Sequence, residues 1–373
     1  MFVFDSNTKI DQRISNDMMI LVKKILSKFV SVKSIFLVGG FGRDEGSLIN
    51  YKDKIQPIND YDLVVIGDCW VKGCDKDLFR KELAESVKIR QVDIVLIKPN
   101  KLKRLKFTMF NYDLKYASKL IYGSNTFLDN ISSWNPHEMP IIEGVKPLFL
   151  FLSSLLQAYP ETKNLDSDDI FWSYQQLTKS ILGWSTAMII FEGLYDASYI
   201  KRNKIFQEKF SHEVELCRMV DQATQFKINS QANIYNQKEI KDFWLDASSA
   251  HLKVSRSLLQ RYYKIKNNSW AKIVLIHRFS LINVIKYIYS IAFMNPHYRN
   301  CLNTDIAKLY LCLGLVEKKN MFINKSKSYY KKLTIRDNSS PIHMSDEEYL
   351  DFLIKTDINS QLFYSNDNKV FYE

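Results

Sequence analysis

Three pieces of sequence set the fold: SIFLVGGFGRDEGS at 34–47, NDYDLVVIG at 59–67 and RQVDIVLI at 90–97. Each joins a short aliphatic or β-branched run to a turn former or an acid, which is the pattern of a buried strand. Ile35 to Val38 run into Gly39, Gly40, Gly42 and Gly46; Asp60 and Asp62 lead into Leu63 to Ile66, and Asp93 leads into Ile94 to Ile97. Asp60 and Asp62 are two apart, so on an extended chain both carboxylates leave the same face, about 7 Å apart at the backbone. A strand carrying Asp93 beside that one would gather three carboxylates at one edge of a sheet. Like charges raise one another's pKa, and two Mg²⁺ ions, which take oxygen ligands and share them with substrate phosphates, would relieve the repulsion.

A glycine-rich turn, Asp-x-Asp at the start of a strand and a third Asp on a later strand resembles the DNA polymerase β-like nucleotidyltransferase superfamily. Within it the chain looks most like the aminoglycoside-type small-molecule enzymes, well over residues 30–130 and loosely over 140–210. The resemblance implies that Gly39, Gly40, Phe41 and Gly42 hold a nucleoside triphosphate. It also implies that Asp60 and Asp62 bind both metals and that Asp93 completes the site or acts as base. Basic residues near the glycine that ends a long helix of the second domain are implied phosphate contacts, which here selects Lys179, Lys201 and Lys204. Two departures stand out: the family's Gly-Ser is Gly39-Gly40-Phe41 here, and the connection from Gly46 to Asp60 is longer than usual. Arg43 is a further candidate, since guanidinium pairs bidentately with phosphate, but its neighbours Asp44 and Glu45 make an ion pair the competing expectation. Asp113 and Lys115 are expected on a solvated helix face, and Glu192 is a candidate acceptor base.

A dinucleotide-binding fingerprint is the rival reading of Gly40-Phe41-Gly42 with an acid about twenty residues on. It fails on spacing. The third glycine, Gly46, comes one position late, and 47–60, with Pro57 and many polar residues, makes a poor crossover helix. The blandest alternative makes Asp60, Asp62 and Asp93 turn residues at strand starts.

Composition sets bounds. The 373 residues are 46% hydrophobic and 25% charged, ordinary for a chain that buries a sizeable core in one or two domains. A net charge of +11 favours anionic partners. The five cysteines include no Cys-x-x-Cys pair, which points to reduced thiols, a cytoplasmic setting and no zinc site. The start, MFVFDSNTK, lacks a basic, apolar leader.

Helical spacing of apolar residues is expected over 14–30, with Ser15, Asn16 and Asp17 as cap candidates, and over 76–88. Trp134, Pro136, Pro140 and Gly144 mark a linker, after which 145–159, 171–193 and 235–265 read as helices. The apolar stretch 270–294 is interrupted by Lys272, His277, Arg278 and Lys286, a costly content for a membrane span; a buried helix is expected. Seven basic residues between Lys318 and Arg336 surround Tyr329 and Tyr330, a solvated face or a grip on an anionic surface or polymer.

The expected fold is therefore α+β: a small mixed-sheet nucleotidyltransferase domain over 1–130, then an all-α domain over 140–373 closing the cleft. The expected activity is Mg²⁺-dependent transfer of a nucleoside monophosphate, AMP from ATP first among the choices, to a hydroxyl of a small molecule, glycan or protein. Two alternatives stay open: a catalytically silent, antitoxin-like nucleotide-binding partner, and a template-independent polymerase.

Overall fold

The computed structural model describes residues 2–3, 8–51, 54–57, 60–68, 76–160, 167–229, 237–266, 269–280 and 297–330. The fold is mixed α+β, and the chain divides into two compact units: Met1–Pro140 with Gly193–Asn233, and Ile141–Glu192 with Ile234–Glu373.

The first unit opens with α1 (Thr8–Lys28), followed by β1 (Val32–Val38) and a single helical turn, α2 (Gly39–Gly42). Next come β2 (Leu48–Tyr51), β3 (Lys54–Pro57) and β4 (Tyr61–Gly67), then the crossover helix α3 (Lys76–Val87), β5 (Val92–Ile97), α4 (Met109–Tyr116) and β6 (Lys119–Gly123). Helix α1 begins well before the cap candidates of the sequence. Asp17 lies inside it, where it accepts a 2.8 Å hydrogen bond from the Tyr61 hydroxyl. The main sheet has the order β5-β4-β1-β6. Strand β1 is antiparallel to β4 and β6, whereas β4 and β5 are parallel. This pairing removes the dinucleotide reading, in which the strand before the glycines and the next strand run parallel. The long connection after Gly46 is no crossover helix; it forms the antiparallel hairpin β2-β3.

Alternation along the strands assigns the faces. Ile35 and Leu37 on β1 and Tyr61, Leu63 and Val65 on β4 join one core with Ile14, Met18, Leu21 and Ile25 of α1 and Phe79, Leu83 and Val87 of the crossover helix. Both helices therefore cover the same face. Fully burying each of these aliphatic side chains contributes about 1.5–3 kcal/mol. Asp62, of opposite parity to Tyr61 and Leu63, leaves β4 on the other face.

In the second unit, α5 (Ile141–Leu150) and α6 (Leu152–Gln157) make two helices where the sequence suggests one, and they precede α7 (Ser167–Phe191). The helical face read from the spacing of Leu177, Ile181, Trp184, Met188 and Phe191 is buried on α7 except at Met188, which is half-buried. Gly193, at φ +66°, follows the end of α7. The sequence expectation carries the second domain from 140 to the end, but Gly193–Asn233, with the helices Tyr199–Lys209 (α8) and Val214–Ile228 (α9), groups with the first unit. The second unit continues with helices Gln237–Tyr263, Trp270–Arg278, His297–Glu317 and Asn320–Tyr330. Much of the apolar stretch, 281–294, lies outside the described residues, as does 331–336 of the basic stretch. Among the described residues no helix is long and apolar enough to cross a membrane. Lys319 pairs with Glu317 at 2.7 Å, and Lys325 sits over the Tyr310 and Phe322 rings, so this part of the basic stretch packs on its own helices.

His251, fully buried in the second unit, has both ring nitrogens bonded: Nε2 lies 2.8 Å from the Leu148 carbonyl and Nδ1 2.9 Å from Ser180 Oγ. A carbonyl only accepts, so Nε2 carries the proton and Nδ1 accepts from the serine hydroxyl. Burial holds the imidazole near a pKa of about 4, against the opposing pull of the Leu148 carbonyl. An unfolded histidine titrates at about 6.5, so the unfolded chain takes up a proton first as pH falls. The stability gained from the neutral ring is complete above pH ~6.5 and declines by up to about 3 kcal/mol as pH drops toward ~4. Denaturant titrations between these limits should show this slope in the wild type and lose it in His251→Gln; equal slopes would remove His251 as its source.

Candidate functional site

Register, more than any single residue, makes the site. Parallel pairing sets Asp62 opposite Asp93, and the β1–β4 ladder sets Val38 opposite Asp62. In-register neighbours on parallel strands project to one side, about 4.8 Å apart, and Asp60, two residues earlier, shares the face. One carboxylate oxygen from each of Asp60, Asp62 and Asp93 lies within 4.8 Å of the others, and all three side chains are half-buried. Burial, then the Asp60 and Asp93 charges, push the Asp62 carboxyl well above its ordinary range, with Lys227 and Arg43 pulling the other way. Burial also raises Asp93, although the Gln91 amide donates to it at 2.9 Å and Arg80 stands 3.8 Å away. A set of three carboxylates offers only hard oxygen donors, which suits Mg²⁺ or Mn²⁺ and not a thiolate-seeking metal.

The glycine turn abuts this cluster. Gly39, at φ +67°, follows directly on Val38, and a Cβ built on it would come 2.3 Å from Asp62 Oδ2. The position requires glycine twice over, for its backbone and for its closeness to the carboxylate. Gly40 accepts backbone hydrogen bonds from Arg43 (3.1 Å) and Glu45 (2.8 Å), which close the turn. Phe41 serves the core: its ring is buried and meets Tyr61 edge-on at 5.1 Å. Only its backbone remains available to a ligand.

Arg43 is engaged within the protein, in ion pairs of the kind that compete with a phosphate contact. Its guanidinium donates to Asp113 at 2.9 Å, approaches Glu45 at 3.6 Å and lies over the Tyr199 ring. Asp113 is likewise no solvated face residue, since it also accepts from the Tyr195 hydroxyl at 2.9 Å. Lys115 donates to the Ile131 carbonyl. Glu45 is buried, and its carboxylate accepts from Ser198 Oγ (2.6 Å), Tyr199 N (2.9 Å) and Ile200 N (3.2 Å). It thus satisfies the free N–H groups that begin α8, where an anion is favoured by the helix dipole.

Of the three lysines selected from the sequence, Lys201 and Lys204 lie exposed on α8, with Lys201 3.7 Å from Asp196. Lys179 lies exposed on α7 in the other unit, over the Trp172 ring. Glu192 is paired with Arg261 at 2.6 Å. Besides Arg43 and Arg80, one further cation acts on the carboxylates, and sequence reasoning missed it. Lys227, in the last turn of α9, lowers Asp62 and stands over the Tyr199 ring at 5.7 Å. Its helix, VELCRMVDQATQFKI, reads as an ordinary amphipathic segment, so nothing local marks it.

Gly39→Ala is expected to cost about 1–2 kcal/mol from the left-handed backbone alone and to displace Asp62. Thermal melting and Mn²⁺ titration, read together, should both weaken; unchanged Mn²⁺ affinity would show that the turn does not support the carboxylates. No family model, curated protein or solved structure matches this chain.

Proposed function

We propose that the chain is a metal-dependent nucleotidyltransferase of the polymerase β-like kind, with the first unit as its catalytic domain. The observation that carries this reading is the convergence of Asp60, Asp62 and Asp93, with ligand oxygens within 4.8 Å of one another, against the glycine turn. Asp60 and Asp62 would hold Mg²⁺, which supplies charge neutralisation to a bound triphosphate. The glycine turn allows phosphate to approach the backbone closely, and the Lys227 charge acts on Asp62. An acceptor hydroxyl oxygen attacks the α-phosphorus, the bond to the β-phosphate oxygen breaks and pyrophosphate leaves. Asp93, whose carboxyl burial has raised, takes the hydroxyl proton. The remaining contribution is positioning. AMP from ATP is the first choice of group transferred, and a reducing, cytoplasmic setting matches the cysteine usage.

Pyrophosphate release with MgATP and a panel of hydroxyl acceptors tests the reading. Asp60→Asn and Asp62→Asn should each lower transfer by about 10²-fold or more, with metal-free melting temperature unchanged or raised because a repulsive charge is gone. ATP binding with no turnover on any acceptor would favour the silent partner protein, and unfolded variants would make the aspartates structural.

Asp93→Asn should leave MgATP binding intact and slow the single-turnover step by about 10²-fold. Lys227→Ala should raise the KM for ATP more than it lowers kcat, as expected for a contact equal in ground and transition states. A full rate in Asp93→Asn, or an unchanged KM in Lys227→Ala, would remove that residue from the site.

A further inference from the structure

The first unit carries a run of aromatic rings that neither the core nor the carboxylate site uses. Phe107 and Trp134 stack with centroids 5.3 Å apart and planes 3° apart. Tyr112 lies 6.3 Å from Phe107 and 4.7 Å from Tyr116. None of the four is buried: Phe107, Tyr112 and Trp134 are half-exposed, and Tyr116 is 47% exposed. None of the rings is sealed in the core, although Phe107 and Trp134 cover one another on one side and Lys115 lies over the Tyr116 ring at 5.6 Å. A hydrogen bond and a ring contact hold the arrangement. The Tyr116 hydroxyl accepts from the Trp134 backbone N–H at 3.0 Å, and Tyr112 meets Tyr195 edge-on at 5.6 Å. Tyr195 in turn donates to Asp113, the partner of Arg43, so the rings are braced against the residues that hold the glycine turn.

The chain entering this shelf is basic. The 3-10 helix Pro99–Arg104 reads PNKLKR, and Lys98, Lys103, Arg104 and Lys106 are exposed immediately ahead of Phe107. We propose that Phe107, Tyr112, Tyr116 and Trp134 form a stacking platform which, with Lys103 and Arg104, binds single-stranded nucleic acid. Open aromatic faces accept any unpaired base, and neighbouring cations follow the phosphate backbone. A neutral glycan would use the rings but leave the cations without purpose. A duplex has no free base faces to offer.

The test is fluorescence anisotropy of the 373-residue chain with labelled RNA and DNA single strands of about 12 nucleotides, within the usual site size. No nucleoside triphosphate is present, so failure here leaves the nucleotidyltransferase reading standing. Binding of either strand is expected, and the preferred sugar identifies the natural strand. Trp134→Ala and Tyr116→Ala should each weaken it roughly 5- to 100-fold, while Trp134→Phe retains most of the affinity. Lys103→Ala with Arg104→Ala should reduce the slope of log Kd against log salt by about 1.4. Melting curves establish that each variant is folded. Absence of binding, affinity indifferent to both aromatic substitutions, equal competition by duplex, or Trp134-dependent binding of maltohexaose in place of the oligonucleotides would each overturn the proposal.

Discussion

The parallel, in-register pairing of β4 with β5 is the constraint on which the rest depends. It sets Asp62 beside Asp93, with Asp60 two residues away on the same face. At a separation near 4.8 Å and an effective dielectric of about 20, each pair of ionised carboxylates repels by on the order of 3 kcal/mol before screening. That is large against a typical domain stability of about 5–15 kcal/mol. The sheet can bear such a charge because its opposite face is packed by α1 and the crossover helix. The apolar face holds the register, and the register holds the acids together.

A second constraint ties the glycine turn to a segment far along the chain. Glu45 closes the N-terminus of α8, and Arg43 bridges to Asp113 and lies over Tyr199. Breaking one member of such a buried network leaves the other charge uncompensated, typically at a cost of about 3–5 kcal/mol. This accounts for Gly193–Asn233 belonging to the first unit although a whole helical segment precedes it. Once α8 is docked, α9 follows and delivers Lys227.

Strands β1, β4 and β5 and the convergence of the acids were legible because both are local patterns, whereas the hairpin β2-β3 was hidden in a polar connection. Alternation fixes which face a residue leaves, and a run such as DLVVI or DIVLI announces its own strand. The dinucleotide alternative was also decidable locally, since Pro57 and the polar residues around it cannot make a crossover helix. What stayed hidden was every contact whose partners are distant in sequence. Arg43 beside Asp44 and Glu45 looked like a surface pair; the residue that engages it at 2.9 Å is Asp113, which spacing alone placed in solvent. Lys201 and Lys204 were selected for following a glycine, whereas Lys227 lies in a helix with no distinguishing mark. Strand β6 was not foreseen either, because KLIYG is too short and too mixed for alternation to announce it.

Charge pairing around the turn leaves the three converging carboxylates the least compensated part of this region. Arg43 and Arg202 pull on Asp113, and Arg43 and Lys227 pull on Asp62. Asp113 also feels Asp196, and Asp62 is raised by burial and by the Asp60 and Asp93 charges in spite of its cations. Arg80 stands 3.8 Å from Asp93. Uncompensated negative charge is therefore concentrated where the ligand oxygens converge. A bound divalent cation would complete the neutralisation there, and it would do so without disturbing the pairs that fix the glycine turn.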